Sequence, residues 1–364
     1  MFEAELRGFL DGGRLAADGA PFGILREVAA GLERRQPWAD VWEAVSARFE
    51  AEADSAAARG AALSAAGWLW QASFAAHASQ LHAYDDLSRR GAAETRRRQL
   101  YRRAVLGLSR PARPVTLRCG GAETTGYVRL PAGQARPAPC LILLGGLDST
   151  KEESLLFEDL CLARGLATFV FDGPGQGETR SRVPLGEPFE PWIAQALDRL
   201  TGAAPELDAD RIGILGRSLG GHFALRAAAA VPGLRCCVAW SPLGTCVNWD
   251  GYPEAIRWGF RYAAGTEDMT RARAVVEAAL DLDDALPRIA IPAYVTHGGR
   301  DRIVPPEEQT AMRRLSSPSV LHQTFAEGSH CCHNLAHLVR PMMADWAAAR
   351  LGVLSGRALD RSAN

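Results

Sequence analysis

The segment Arg211–Ala230, RIGILGRSLGGHFALRAAAA, constrains this chain more than any other. Its apolar run Ile212–Leu215 reads as a buried strand, and the alanine-rich stretch that follows Gly221 reads as a helix. Between them, Gly216-Arg217-Ser218-Leu219-Gly220-Gly221 leaves room only for a tight turn. A serine on so sharp a strand-to-helix turn is held near strained φ/ψ, and the residues two before and two after it must lack a Cβ to avoid collision. The pattern G-x-S-x-G meets that demand. It lifts Ser218 Oγ above the sheet and points the N–H of Leu219, at the helix start, toward an oxyanion developing on an attacked carbonyl. A glycine-rich turn with an incidental serine would carry the same letters. The flanking strand and helix, and the partners found downstream, separate the two.

The bulk of the chain bounds the alternatives. With 364 residues, 47% hydrophobic and 23% charged, it is long enough for a large core and an accessory domain. A net charge of −1 gives no global electrostatic case for nucleic acid or a membrane surface. The start, MFEAELRGFLDGG, lacks a basic region followed by an apolar core, so no secretory signal is expected, and no apolar run approaches a membrane span. The 8 cysteines show no CxxC spacing and include the vicinal pairs Cys236-Cys237 and Cys331-Cys332. Cys140, Cys236 and Cys237 sit in strand-like runs, as expected of buried, reduced thiols in a cytoplasmic protein.

Residues 1–110 are expected to form a helical region, with helices near 22–35, 38–59, 61–84 and 92–107. Trp38, Val41, Trp42, Val45 and Phe49 recur at helical spacing, as core residues do; a second aromatic series, Trp68, Trp70, Phe74, His77, Leu81 and Tyr84, is either core or pocket lining. The arginines Arg89, Arg90, Arg96, Arg97, Arg98, Arg102 and Arg103 read as a solvated helix face rather than a nucleic-acid patch, since no aromatic interleaving accompanies them. From Arg110-Pro111 the pattern changes. A hairpin (Val115–Cys119, Thr124–Leu130) precedes alternating strands and helices over 111–242 and 286–352: strands Cys140–Leu144, Leu166–Phe171, Leu234–Trp240, Ile291–His297 and Val320–Phe325 beside the elbow strand. Such alternation gives an α/β fold, a mostly parallel, doubly wound sheet. Residues 243–285, with Trp249, Tyr252, Trp258, Phe260 and Tyr262, read as a small helical insertion, a lid.

Sites in such sheets form at the C-terminal ends of strands. After Cys140–Leu144 come Gly145-Gly146-Leu147-Asp148, where Gly146 or Leu147 is placed to give a second oxyanion donor. After Leu166–Phe171, Asp172-Gly173-Pro174-Gly175-Gln176-Gly177-Glu178 superficially resembles a phosphate loop, but no G-x-G-x-x-G leads into a helix there, and no cofactor is expected. Asp301 and His330 stand in the next two strand-end loops. The order Ser218, Asp301, His330 is nucleophile, acid, base, with His330 accepting the Ser218 proton and Asp301 fixing the imidazole tautomer. His333 and His337 are rivals for the base, and His337 falls inside the last helix. The run His330-Cys331-Cys332-His333 cannot easily wrap a tetrahedral ion, so no metal is expected.

These motifs resemble the α/β-hydrolase superfamily over 112–352. Gly145–Glu153, Phe171–Glu178, Gly216–Gly221 and Gly328–Asn334, with the helical region ahead of them, resemble the branch that unites dihydroxypseudooxynicotine hydrolases, fungal pigment polyketide-shortening hydrolases and FrsA-like esterases. The resemblance implies hydrolysis of a C–C bond beside a ketone in an aromatic or polyketide-type small molecule, with the helical region and insertion closing over the site and with homodimers common. It also implies that Asp148 either assists the cleavage, by reaching the substrate carbonyl or leaving group, or organises the oxyanion loop. An ester or amide hydrolase, or a polyketide cyclase or dehydratase, would use the same triad. A non-catalytic receptor on this fold would be expected to have lost a triad member.

Overall fold

The computed structural model describes residues 8, 10 and 13–354, apart from 82, 134–136, 245–248 and 316–318. The chain divides into two compact units, Met1–Arg113 and Pro114–Asn364.

The first unit is helical: α1 (Arg14–Asp18), α2 (Phe22–Glu33), α3 (Trp38–Ala58), α4 (Ala62–Gln80) and α5 (Leu87–Gly107). Trp38, Trp42, Val45, Phe74 and Leu81 are buried together, so the first aromatic stripe is core. Buried polar groups are tied to backbone: Trp38 Nε1 donates to Ala78 O (2.6 Å), and Ser46 Oγ to Ala72 O (2.8 Å). Two expectations change here. Helix α5 starts at Leu87 rather than 92, because Asp86 accepts the N–H of Arg89 (2.9 Å) and caps it. The arginines of α5 are not simply a solvated face. Arg90 and Arg97 are buried, and Arg90 donates to Gln80 O (2.7 Å). Arg89 pairs with Asp40 and Glu43, and Arg96 and Arg103 with Glu50, so α5 meets an acidic face of α3.

The second unit is built on eight strands: β1 (Ala112–Cys119), β2 (Ala122–Arg129), β3 (Ala138–Leu144), β4 (Ala167–Val170), β5 (Leu207–Arg217), β6 (Leu234–Trp240), β7 (Ala293–Gly298) and β8 (Val320–Phe325). They form one sheet in the order β1-β2-β4-β3-β5-β6-β7-β8. β2 runs antiparallel to β4; from β4 to β8 every pairing is parallel. The buried strands lack polar alternation because both faces are covered. Helix α6 (Leu155–Leu162) packs with α12 (Ala336–Arg350), and α7 (Glu190–Ala203) with α8 (Leu219–Ala230). Right-handed crossovers put the two pairs on opposite faces, because the chain steps one way from β3 to β4 and the other way from β4 onward. That reversal opens a crevice at the C-terminal ends of β3 and β5. The insertion contains α9 (Glu254–Ala263) and α10 (Met269–Ala279), with Trp249, Tyr252 and Phe260 joined to the core; residues 245–248 of the segment lie outside the described residues. The short helix α11 (Pro306–Ala311) lies between β7 and β8. Among the described residues no helix is long and apolar enough to cross a membrane.

Candidate active site

The turn from β5 to α8 is as tight as the glycine spacing requires. A Cβ on Gly216 would lie 1.8 Å from Gly220 O; one on Gly220 would lie 2.4 Å from Gly145 O and 2.6 Å from Leu144 O. Both contacts are with backbone, which cannot step aside, so side chains at these positions would force the elbow apart and push β3 from α8. Ser218 itself sits at φ 56, ψ −117, outside the usual regions for a residue with a Cβ. Its N–H donates to Trp240 O (2.8 Å), and its carbonyl accepts from Gly221 (2.8 Å) and His222 (3.1 Å), which starts the helix.

Two further loops close on this serine. Gly298 and Gly299 end β7 against the loop after β8: a Cβ on Gly298 would meet Ser329 O at 2.2 Å, and one on Gly299 would meet Ala326 O at 2.5 Å. Glycine is therefore what lets the Asp301 loop lie directly on the His330 loop. His330 Nε2 stands 3.0 Å from Ser218 Oγ, and its Nδ1 2.8 Å from Asp301 Oδ2. The other carboxylate oxygen, Asp301 Oδ1, accepts the N–H groups of Ile303 (2.8 Å) and Val304 (2.9 Å). The carboxylate thus turns its own loop with one oxygen and orients the imidazole with the other. Both ring nitrogens of His330 are engaged in this relay, which leaves neither for a metal.

The electrostatics follow from burial and pairing. Burial disfavours charge on His330, but the carboxylate of Asp301 and the neighbouring Cys331 outweigh it and hold the imidazole well above 6.5. Burial alone would raise the Asp301 carboxyl, yet His330 and the two backbone N–H groups keep it below the ordinary range. The pair stabilises an imidazolium, the species that a proton transfer from Ser218 to His330 would form. His297, on β7, is pushed down to about 4 by burial and stays neutral beside them.

Of the rivals, His337 lies on α12 and His333 is buried with its ring 5.9 Å from that of Trp240. Two of the oxyanion candidates, Leu219 and Gly146, lie beside the serine. Leu219 is the first residue of α8, where N–H groups have no intrahelical acceptor. Gly146 lies against Ser218, with a Cβ there only 3.4 Å from Ser218 Cβ; Leu147 follows it, buried. Asp148 is half-buried on the same loop.

Sequence reasoning passed over several groups. Trp240, the last residue of β6, binds the serine turn and the His330 loop: its carbonyl accepts from Ser218 N–H, and its indole N–H donates to Cys331 O (2.6 Å). Ser241 Oγ accepts the N–H of Cys331 (3.2 Å). Arg217 and Arg340 lie over the Trp240 ring at 5.8 and 5.4 Å. Arg217 also reaches Glu153 (2.6 Å) and Ser149 Oγ (2.7 Å), which ties the elbow to the segment after β3. A donor-bearing aromatic closing a mostly apolar strand was the available signal for Trp240. Lys151 is buried among Asp172 (2.7 Å), Glu178 (3.3 Å) and Glu152 (3.5 Å). Burial opposes its charge, but the three carboxylates more than restore it and keep the ammonium protonated. The glycine-rich stretch after β4 leads not into a helix N-terminus but into a short 3₁₀ turn, Gly177–Thr179.

Comparison with known proteins bears on the fold and the family. The family model described as "Esterase FrsA-like" matches residues 30–247. This chain belongs to that family. It is 36% identical over 340 residues to 2,6-dihydropseudooxynicotine hydrolase of Paenarthrobacter nicotinovorans, covering 93% of this chain and 90% of that one. The crystal structure of the 2,6-dihydroxy-pseudo-oxynicotine hydrolase superposes with a TM-score of 0.86, covering 93% and 95% of the two chains. The α/β-hydrolase psoB of Aspergillus fumigatus is 32% identical over 254 residues, and this chain spans about half of its length, 54%. Wild-type AbyA5, at 21% identity and a TM-score of 0.71, shares the fold. The protein is an α/β-hydrolase enzyme.

Proposed function

We propose that the protein is a serine hydrolase that cleaves a C–C bond next to a ketone in an aromatic or polyketide-type small molecule. The observation that carries the serine chemistry is the continuous relay Ser218 Oγ–His330–Asp301 at 3.0 and 2.8 Å. Ser218 attacks the ketone carbon while His330 Nε2 takes its proton. The oxyanion is held by the N–H of Leu219 and those of Gly146 and Leu147. Collapse breaks the C–C bond, and the departing carbon takes the proton from His330, with Asp148 assisting at the leaving group. Water, deprotonated by His330, then attacks the acyl-Ser218; the acid leaves and the serine regains its proton. A carbon leaving group must be a stabilised carbanion, so the substrate class is a β-dicarbonyl or hydroxyaryl ketone. The similarity to a hydrolase named for 2,6-dihydroxypseudooxynicotine supports this class. The family description "esterase" favours a second reading, in which an ordinary ester is the substrate of the same triad. The free, buried thiols Cys140, Cys161, Cys236 and Cys237 suit a reducing, cytoplasmic setting, and the family resemblance suits a homodimer.

Mass-spectrometric product analysis with a panel of aryl 1,3-diketones, hydroxyaryl ketones and matching esters tests the reading, with Ser218→Ala as control. Acid plus ketone from a diketone establishes C–C hydrolysis. Turnover of esters alone selects the second reading, and full activity in Ser218→Ala refutes both.

A further inference from the structure

The segment Asp172–Arg180 contributes nothing to the relay, yet two of its side chains hold the loop after β3 by its carbonyls. Gln176 is 1% exposed. Its Nε2 donates to Gly145 O (2.6 Å) and to Gly146 O (3.2 Å), while its Oε1 accepts the N–H of Gly173 (3.2 Å). Arg180 continues the series, with Nη2 donating to Leu147 O (2.9 Å) and Nε to Gly175 O (2.9 Å). Three successive carbonyls of one loop are thus gripped by two side chains of another.

We propose that Gln176, backed by Arg180, is the positioning residue that aims the oxyanion N–H groups of Gly146 and Leu147; this rests on the proposed attack by Ser218. The argument is geometric. In a trans peptide the C=O of one residue and the N–H of the next lie in one plane and point in opposite directions. No described peptide bond is cis. Holding Gly145 O therefore fixes the N–H of Gly146, and holding Gly146 O fixes that of Leu147. A loop with two adjacent glycines has little stiffness of its own, so its amide planes need an external hold. The grip cannot rotate freely, because Gly173 N–H anchors the far end of the Gln176 amide. The segment is itself folded tightly about Asp172: a Cβ on Gly177 would lie 2.1 Å from Asp172 Oδ2, the oxygen that also accepts Glu178 N–H (3.2 Å). Arg180 also stacks at 4.7 Å on Tyr262 of α9, so the same clamp braces the insertion. The glycines that make this segment look like a phosphate loop serve the close packing of the clamp.

The test uses the rate at which an alkyl fluorophosphonate phosphonylates Ser218, a reaction that needs the same oxyanion donors and no knowledge of the substrate. Gln176→Met keeps length and removes the donor; Gln176→Glu turns an acceptor toward two carbonyls. Loss of one oxyanion donor typically costs 10²–10³ in rate, so misaiming is expected to slow labelling by about 10–100-fold, more in Gln176→Glu than in Gln176→Met. Thr168→Val removes a buried hydroxyl that donates to Glu158 (2.9 Å); it gives a folded reference that loses stability without losing labelling rate. Slow labelling in the Gln176 variants, with a melting temperature no lower than that of Thr168→Val, supports the proposal. Should those variants fail to fold, Arg180→Lys, which keeps the charge but loses the fork, is expected to slow labelling several-fold. Labelling within twofold of wild type in the folded variants overturns it. A wild-type enzyme that is not labelled at Ser218 removes the underlying reading of the serine, and the proposal falls with it.

Discussion

Asp301→Asn tests the proposed tautomer-fixing role of Asp301, because the two carboxylate oxygens make different contacts. Oδ1 accepts two backbone N–H groups, Ile303 and Val304, and Oδ2 faces His330 Nδ1. An asparagine has one acceptor oxygen. The two backbone bonds outweigh the single imidazole bond, so the amide oxygen stays with the turn and the NH₂ faces His330. A donor there makes Nδ1 an acceptor and moves the ring proton to Nε2, the atom 3.0 Å from Ser218 Oγ. That nitrogen can no longer accept the serine proton. The loss is expected to be on the order of 10⁴ in kcat, or about 5.4 kcal/mol of transition-state stabilisation. Because the backbone turn is kept, stability should change little, by about 1 kcal/mol, the net worth of one hydrogen bond. The imidazole, still buried but without its carboxylate, should also titrate at lower pH than in the wild type. Turnover of a p-nitrophenyl ester measures the first effect, urea unfolding the second and histidine NMR the third. An Asp301→Asn enzyme with more than about a tenth of wild-type turnover and intact stability refutes the argument, since the relay would then not depend on the tautomer.

Four other expectations follow from the structure. The base must be neutral to act, and Asp301 holds His330 well above 6.5, so kcat/KM should rise with pH through an ionisation above that value; a profile flat from pH 6 to 9 contradicts it. The same shift makes the protonated His330 pair a stabilising one at low pH, lost as pH rises through the folded-state value. Trp240→Phe keeps a ring between Arg217 and Arg340 but leaves Cys331 O without its donor, at a cost of about 1–3 kcal/mol; turnover should fall by more than KM changes, because the loop carrying His330 loses its tie. Lys151→Met removes the ammonium shared by the carboxylates of Asp172, Glu178 and Glu152 and should cost about 3–5 kcal/mol in chemical unfolding, so a loss below about 1 kcal/mol removes the cluster from the account of stability.

What was legible in the sequence was set by local pattern. Cys140–Leu144 and Leu166–Phe171 read as strands because short apolar runs bounded by turn residues have few other uses; Val320–Phe325, a more polar run with His322 and Gln323 inside it, reads as one by its place in the alternation of strands and helices. Ser218, Asp301 and His330 could be placed because each follows such a run, and strand ends in a parallel sheet face one crevice. Groups whose role depends on reach across the fold were not legible. Nothing near Gln176 announces that its amide grips carbonyls thirty residues back in the chain, and nothing in the spacing of Arg90 and Arg97 separates them from their solvent-facing neighbours. Their burial is decided by where α3 and α4 lie, which is tertiary information. The early start of α5 was overlooked because the cap at Asp86 precedes an arginine-rich turn with little apolar signal.

Among the described residues, Ser218, Ser241, Cys331 and Cys332 are four of the five non-glycine positions with positive φ, and all four surround the triad. Each such backbone stores of the order of 1–3 kcal/mol that the rest of the fold must hold in place. Selection of this enzyme for heat resistance alone would therefore find its easiest gains at these positions, by letting the chain relax. Those gains would come at the expense of turnover. A search for robust variants should hold these four residues fixed and look instead to the loops and faces of the helical unit.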